Sequence, residues 1–102
     1  MRERLDIEII KREAQRVLTV EAAWAASEPE DRVAFRAEWH NQMDIFRHLV
    51  VAYTDGRLPD QDMQDLRTIA AILDSATPTL KRLRLRQPDP QILVRLRLAA
   101  AG

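Results

Sequence analysis

Residues 27–56 have the sequence SEPEDRVAFRAEWHNQMDIFRHLVVAYTDG, and this stretch contains one continuous helical pattern. Its apolar side chains recur at steps of three and four residues, which places them on one face of an α-helix. The face consists of Phe35, Trp39, Met43, Phe46, Val50 and Tyr53, flanked by Gln42 and Leu49. Ser27 and Glu30 have the spacing of a capping box at the start, and Gly56 terminates the pattern. The stretch therefore predicts a long helix that ends at about Thr54.

The preceding residues repeat this pattern in another long helix, from about Glu3 to Ala26. Its apolar positions also step by three and four residues, while charged side chains occupy the other faces. The stripe consists of Ile7, Ile10, Ala14, Val17, Glu21 and Trp24, widened by Leu18, Ala22 and Ala25. Because only a short linker joins the two helices, we expect them to pack antiparallel as a long-helix hairpin over residues 3–55.

A third and shorter helix is predicted over residues 59–76. Asp55 and Gly56 form a turn before it, and the acidic side chains of its first turn suit the positive end of a helix dipole. Its apolar face consists of Met63, Leu66, Ile69, Ala70, Ile72 and Leu73. All five prolines and both glycines lie between the periodic segments, where they begin or end helices. We therefore predict an all-α fold in a single domain over residues 1–102.

Residues 78–101 form two short basic segments for which the pattern allows either helices or a strand hairpin. Thr77 and Asp89 are each an N-cap candidate followed by proline at the first helical position, which favours helices over 78–87 and 90–101. Leucines and arginines in both segments alternate with a period of two, as in a hairpin of strands. The content of leucine and alanine favours helix. The expected architecture is a helical bundle built on the long hairpin, with two or three shorter C-terminal helices.

The length and composition exclude several classes of protein. A chain of 102 residues supports one domain, and the absence of cysteine excludes a disulfide scaffold, a thiolate zinc site and a cysteine nucleophile. The apolar runs are too short to span a membrane, and the N-terminus lacks the apolar core of a signal peptide. Two glycines cannot build a glycine-rich phosphate loop. We therefore expect a cytoplasmic protein without catalytic residues, metal or cofactor.

The formal net charge of zero conceals an uneven distribution of charge along the chain. Residues 1–27 are neutral, residues 28–77 carry a net charge of −5, and residues 78–102 carry +5. Arginine dominates the basic third, and its guanidinium pairs bidentately with carboxylates and phosphates. The candidates for phosphate or partner contacts are Arg82, Arg84, Arg86, Arg95 and Arg97. Docking of this third on the acidic middle, in the same chain or in a second copy, is the interpretation we favour.

The two long helices favour a homodimer. At about 36–39 Å each they are long for a domain of this size, and short appended helices would leave part of their apolar stripes uncovered. A second copy would cover them in a four-helix arrangement, although the shorter helices could also fold back over the same surface. For four aromatic side chains of these helices, core packing is the default interpretation of the helical spacing, and any that remain exposed are candidates for partner or dimer packing. They are Trp24, Phe35, Trp39 and Phe46.

His40, Asp44 and His48 recur at four-residue intervals on one face of the helix that ends at Thr54. Imidazole and carboxylate groups at this spacing are typical of helical zinc sites. The outer two residues, however, are about 12 Å apart along a helix, too far for all three side chains to bind one ion. Ordinary side-chain pairing on a solvated face is therefore the favoured interpretation, and no metal site is predicted.

Residues 52–62, AYTDGRLPDQD, resemble the helix–turn–helix corner of tellurite-resistance TerB-like domains, in which an Asp-Gly turn precedes an acidic helix start. The resemblance continues through the apolar positions as far as Leu73, and Thr54 departs from the usual alanine. It would imply that Asp55 and Asp62 are cation contacts. Any turn between two helices uses the same residues, with Asp-Gly ending one helix and Pro-Asp beginning the next, and we transfer no function from the resemblance.

These observations predict a function in binding rather than in chemistry. The expected role is a non-catalytic helical protein–protein interaction module that associates with itself, as an adaptor, a regulator or a small structural subunit of a larger assembly. The alternative is a small nucleic-acid-binding subunit that places the five C-terminal arginines on phosphates. No aromatic residue lies in that third of the chain, so stacking on bases is not expected.

Overall fold

The computed structural model describes residues 2–57 and 59–101, and its helices confirm the all-α fold. Five helices follow one another in these ranges: α1 (Arg2–Trp24), α2 (Pro29–Thr54), α3 (Asp60–Ser75), α4 (Thr77–Arg82) and α5 (Pro90–Ala101). The same two ranges contain no β-strand. Within them, no helix combines the length and the apolar character that a membrane crossing requires.

The two long helices, α1 and α2, pack against each other as the expected antiparallel hairpin. Arg16 in the second half of α1 lies over Phe35 near the start of α2, with its guanidinium carbon 5.7 Å from the ring centroid. α3 lies along α1 and starts at the same end, since Asp62 at the start of α3 contacts Arg4. α4, which follows α3, reaches the other end of α1 at Glu21. α1 and α3 therefore point in the same direction, opposite to α2.

α5 runs in the direction of α2 and packs on its C-terminal half. Asp89, just before α5, lies near Arg47, and Arg95 within α5 lies near Thr54 and Asp55 at the end of α2. The shorter helices therefore fold back over the hairpin. The sequence allowed two ways to cover the apolar stripes, a second copy of the chain or the shorter helices of the same chain. The structure has the second arrangement.

A hydrophobic core joins all five helices. It contains most of the apolar stripe expected for α2, the first four positions of the α1 stripe (Ile7, Ile10, Ala14 and Val17), and leucines and isoleucines of the shorter helices. The residues expected to widen the α1 stripe, Leu18, Ala22 and Ala25, are exposed instead. The largest fully buried side chains include Trp39, Phe46, Ile7, Ile10, Leu66, Ile69, Leu73, Leu80 and Leu96. Burial of apolar surface stabilises a fold by about 25 cal/mol per Å². This core therefore makes the main contribution to the free energy that holds the C-terminal helices on the hairpin.

The capping box expected at the start of α2 is wrong. Glu28 occupies the N-cap position, and no side chain caps the helix there. The hydroxyl of Ser27 donates instead to the carbonyl oxygen of Trp24, 2.6 Å away. Ser27 therefore closes the last turn of α1 and does not begin α2.

Of the two proline-linked caps, the second is confirmed and the first is wrong. The carboxylate of Asp89 accepts a hydrogen bond from the backbone N–H of Gln91 at 2.9 Å, at the start of α5. Thr77 does not cap α4, and its hydroxyl donates to the carbonyl oxygen of Leu73 at 3.3 Å. Because α3 continues almost directly into α4, that carbonyl is within reach of the hydroxyl.

Residues 83–89 lie between α4 and α5 and are neither helix nor strand. Leu83 and Leu85 are buried there, while Arg84 between them is exposed. In residues 83–86 the period-two pattern thus belongs to a short non-helical segment packed on the core, whereas in residues 94–98 it lies within α5. The strand hairpin is therefore wrong. The helical expectation is confirmed for α5 and, within 78–87, only for the part that forms α4.

Truncation of Leu73 tests the packing of α3 in the core. The residue is fully buried, so Leu73→Ala should leave a cavity and lower the free energy of unfolding by about 2–5 kcal/mol. Leu98→Ala is the matched control, because Leu98 is 69% exposed and its truncation should change that free energy by less than about 0.5 kcal/mol. Urea unfolding followed by circular dichroism measures both, and equal losses would contradict the packing of α3.

Candidate interaction surfaces

Arg82 is held against α1 by a bidentate ion pair. Its guanidinium donates to both carboxylate oxygens of Glu21, with Nε–Oε1 at 2.5 Å and Nη2–Oε2 at 3.0 Å. The hydroxyl of Thr79 also donates to Glu21 Oε2, at 3.1 Å. The hydrogen bond from Arg82 holds the pKa of Glu21 below its ordinary value, although burial acts in the opposite direction. Arg82 therefore closes the contact between α1 and α4.

Arg86 and Arg95 dock on acidic residues of α2 and of the turn that follows it. Arg86 Nη1 donates to Asp44 Oδ1 at 2.7 Å, and this hydrogen bond lowers the pKa of Asp44. Arg95 Nε donates to Thr54 Oγ1 at 2.7 Å, and its Nη2 lies 3.4 Å from Asp55 Oδ1. The basic C-terminal third thus packs on the acidic middle of the same chain, as the charge distribution favoured.

Arg84 and Arg97, the other two candidate arginines, form no ion pair with the part of the chain that the structure describes. Both side chains are exposed. Arg84 lines a concave surface between α2 and the end of α4, whereas Arg97 on α5 lies beside α3 near Asp74. The five arginines therefore do not form one continuous basic surface.

Trp24 and Phe35 line an open groove of about 480 Å³ between α1 and α2. Both side chains are half-buried, and their rings meet edge to face with centroids 5.7 Å apart and planes at 78°. Arg16 lies over Phe35, and the guanidinium carbon of Arg36 lies 5.8 Å from the ring centroid of Trp24. We call this cavity the hairpin groove. Its apolar lining is Val20, Ala23, Trp24, Ala34 and Phe35.

Trp39 and Phe46 lie in the core, which was the default interpretation of their helical spacing, so they are not among the exposed candidates for partner contacts. Both are 1% exposed, because the C-terminal third folds over the part of α2 that carries them. The indole Nε1 of Trp39 donates to the backbone carbonyl of Arg86 at 2.8 Å, so its polar atom is also satisfied inside the chain. Of the four candidate aromatic residues, Trp24 and Phe35 are the two that reach the surface.

His40, Asp44 and His48 do not converge on a common point. Asp44 Oδ1 accepts a hydrogen bond from Arg86, and His40 Nε2 lies 3.9 Å from Asp44 Oδ2. His48 Nδ1 lies 2.8 Å from the backbone carbonyl oxygen of Asp44. Within the described residues, no three potential ligands are grouped closely enough to hold a metal ion. These side chains pair with near neighbours and with Arg86, as expected for a solvated helix face.

Two buried carboxylates join α1 to α3. Asp62 and Asp65 are 6% and 7% exposed. Arg4 donates to both, with Nη1 at 2.9 Å from Asp62 Oδ1, and it also pairs with Glu8. Lys11 Nζ lies 3.6 Å from Asp65 Oδ1. We call Arg4, Lys11, Asp62 and Asp65 the α1–α3 charge cluster.

This cluster was not predicted from the sequence, although the position of Asp62 carries a signal for it. Asp62 precedes Leu66 by four residues and Ile69 by seven, so it lies on the apolar face of α3. A carboxylate on a core face requires a partner, because burying an unpaired charge is unfavourable. Arg4, three residues before Ile7 on α1, is placed to supply that partner.

The α1–α3 charge cluster stabilises the fold in a pH-dependent way. Burial by itself raises the pKa of Asp65, but the hydrogen bond and charge of Arg4, together with the charge of Lys11, outweigh burial and hold this pKa below its ordinary value. A carboxylate whose pKa falls on folding contributes its full stability above the unfolded pKa of about 3.9. That contribution is lost as the pH falls through the lower pKa of the folded state.

Replacing Arg4 by methionine tests the cluster. Arg4→Met leaves Asp62 and Asp65 without their main donor, so the Tm should fall at neutral pH. The difference from the wild-type Tm should shrink below about pH 4, as Asp65 loses the charge that Arg4 stabilises. Arg12→Met is the matched control, because Arg12 lies at an exposed position of the same helix and pairs with no described residue. A loss of Tm that did not depend on pH would contradict the electrostatic role of Arg4.

No protein-family model matches this chain, and neither a curated protein nor a solved structure is significantly similar to it. The resemblance of residues 52–62 to TerB-like domains thus has no support from a family match. In the structure, each of the two cation contacts that the resemblance would imply pairs with an arginine of the same chain, Asp62 with Arg4 and Asp55 with Arg95. The function of the chain has to be inferred from its own surfaces.

Proposed function

We propose that this chain is a non-catalytic protein-interaction module that associates with a second copy of itself through the hairpin groove. The half-buried pair Trp24 and Phe35 carries this proposal. Aromatic side chains that remain partly open on the floor of a groove bury further apolar surface when a partner covers them. Tryptophan is also enriched among the residues that contribute most to binding at protein interfaces.

Further apolar side chains extend the lining of the hairpin groove beyond its two aromatic rings. They are Val20 and Ala23 on α1 and Ala34 on α2. Both alanines are exposed. Exposed apolar surface concentrated in one region is characteristic of interaction sites, and small side chains let the helices of a partner approach closely.

The charges around the groove favour a second copy as the partner. The groove is rimmed by acidic and basic side chains, namely Glu13, Asp31, Glu38, Arg16 and Arg32. In a two-fold symmetric interface the same patch meets itself, so a patch with both signs can place its acidic groups opposite the basic groups of the other copy. A partner with a rim of a single sign would meet like charges at several of these positions.

The alternative, a nucleic-acid-binding subunit, receives less support from the geometry. Tracking a phosphate backbone requires basic side chains that are free and aligned along one surface. Arg82, Arg86 and Arg95 pair instead with carboxylates of the same chain. The protein-interaction module is therefore the function that we put forward.

The mass in solution tests this proposal. At micromolar concentration, light scattering should give twice the monomer mass for the wild type. Ala34→Glu should give the monomer mass, because Ala34 lines the groove and the new carboxylate would have to be buried unpaired in the interface. Ala71→Glu makes the same change on α3, at an exposed position outside the groove, and should leave the dimer intact. A monomeric wild type, or loss of the dimer in both variants, would contradict the assignment of the hairpin groove.

A further inference from the structure

Arg84 occupies a backbone position at which glycine is the usual residue. α4 ends in a Schellman motif, in which the Arg84 N–H donates to the carbonyl of Lys81 at 3.2 Å and the Leu85 N–H to that of Leu80 at 2.9 Å. The motif requires a left-handed residue, and Arg84 has a φ of 56°. A side chain with a Cβ atom is strained in this region, which glycine adopts freely.

The end of α2 has the same motif with glycine in the equivalent position. Gly56 has a φ of 77° and donates to the carbonyl of Tyr53 at 2.8 Å, while Arg57 donates to that of Ala52 at 2.9 Å. The chain therefore forms one geometry twice, once with the residue that fits it and once with arginine. The side chain of Arg84 is exposed and makes no hydrogen bond or ion pair with the described residues, so the strain is not offset by a contact within the fold.

The strained arginine lines a concave pocket of about 480 Å³ that is rich in cations. We call it the basic pocket; Arg84 shares it with Arg36, Lys81, Arg86 and His40. The pocket lies between α2 and the end of α4, and none of its lining residues also lines the hairpin groove. The two surfaces adjoin at Arg36, whose guanidinium carbon lies 5.8 Å from the ring centroid of Trp24.

Acidic groups neutralise little of the charge in the basic pocket. Asp44 is the partner of Arg86, at 2.7 Å. Arg36, Lys81 and Arg84 form no ion pair within the described part of the chain, and no carboxylate lines the pocket. Arg36 is partly engaged elsewhere, because its guanidinium lies over the ring of Trp24 and its Nη2 lies 3.5 Å from the carbonyl oxygen of Leu83. Lys81 and Arg84 therefore face the concavity without a counterion from the fold.

We propose that the basic pocket binds a single phosphoryl group, such as that of a phosphomonoester. A phosphoryl dianion carries the charge and the acceptor oxygens that guanidinium and ammonium donors match. Cations that converge on one concavity suit one dianion, whereas a nucleic-acid strand requires phosphate contacts repeated along a surface. Arg97, the other candidate arginine without an ion pair to the described residues, lies beside α3 and does not extend the pocket.

Inorganic phosphate is the probe for this site. A titration of the full chain at constant ionic strength, followed by amide chemical shifts, should show one site per chain with a Kd below about 1 mM. Arg84→Gly removes one donor together with the backbone strain. Without phosphate the Tm of this variant should rise by about 5 °C, while its affinity for phosphate should fall about tenfold. A purely structural role of Arg84 would change the Tm alone.

Two further variants complete the test. Lys81→Gln removes another donor without relieving strain and should also weaken phosphate binding about tenfold. Arg97→Ala removes an exposed arginine outside the basic pocket and should leave the affinity unchanged. Equal affinity in Arg84→Gly and the wild type, or a wild-type Kd weaker than about 1 mM, would overturn the proposal. Binding of single-stranded oligonucleotides that tightens with their length would also overturn it, because it would identify a surface for a polyanion.

Discussion

The hydrogen bond from the buried indole of Trp39 to the backbone carbonyl of Arg86 anchors the C-terminal third of the chain to α2. A tryptophan in a core needs an acceptor for its N–H, and here the acceptor lies 47 residues further along the chain. The segment 83–89 can supply it because its carbonyls are not engaged in a helix. With this segment held on α2, Leu83 and Leu85 enter the core. α5 then packs along the C-terminal half of α2.

The two surfaces follow from this docking. Because α5 covers the C-terminal half of α2, the other end of the α1–α2 hairpin stays open and Trp24 and Phe35 remain half-buried. Docking also engages Arg86 and Arg95 with carboxylates of the same chain. The charge that is left concentrates at the end of α4, around Arg84. One constraint on the C-terminal third thus leaves an apolar groove and a basic pocket at different places on the molecule.

Sequence periodicity predicted where the helices lie, but it predicted their ends less well. α2 ends at Thr54 as predicted, and the first half of the α1 stripe, from Ile7 to Val17, is buried, because both features depend on residues a few positions apart. The Ser27 and Thr77 caps were wrong, since a hydroxyl can donate to a carbonyl of the preceding helix as well as accept from an amide of the next one. The carboxylate of Asp62 was read as a helix-start residue, although its register placed it on the core face.

The order of the elements, their apolar faces and the separation of charge along the chain are properties of the sequence, because each arises from local spacing and composition. Tertiary packing decided which aromatic residues lie in the core and which arginines have no acidic partner among the described residues. Trp39 and Trp24 both follow the helical period, yet only Trp39 is covered by the C-terminal third. Arg84 and Arg86 are two residues apart, yet only Arg86 meets an acidic partner, Asp44. Such differences depend on contacts between residues 40 or more positions apart, which local periodicity does not encode.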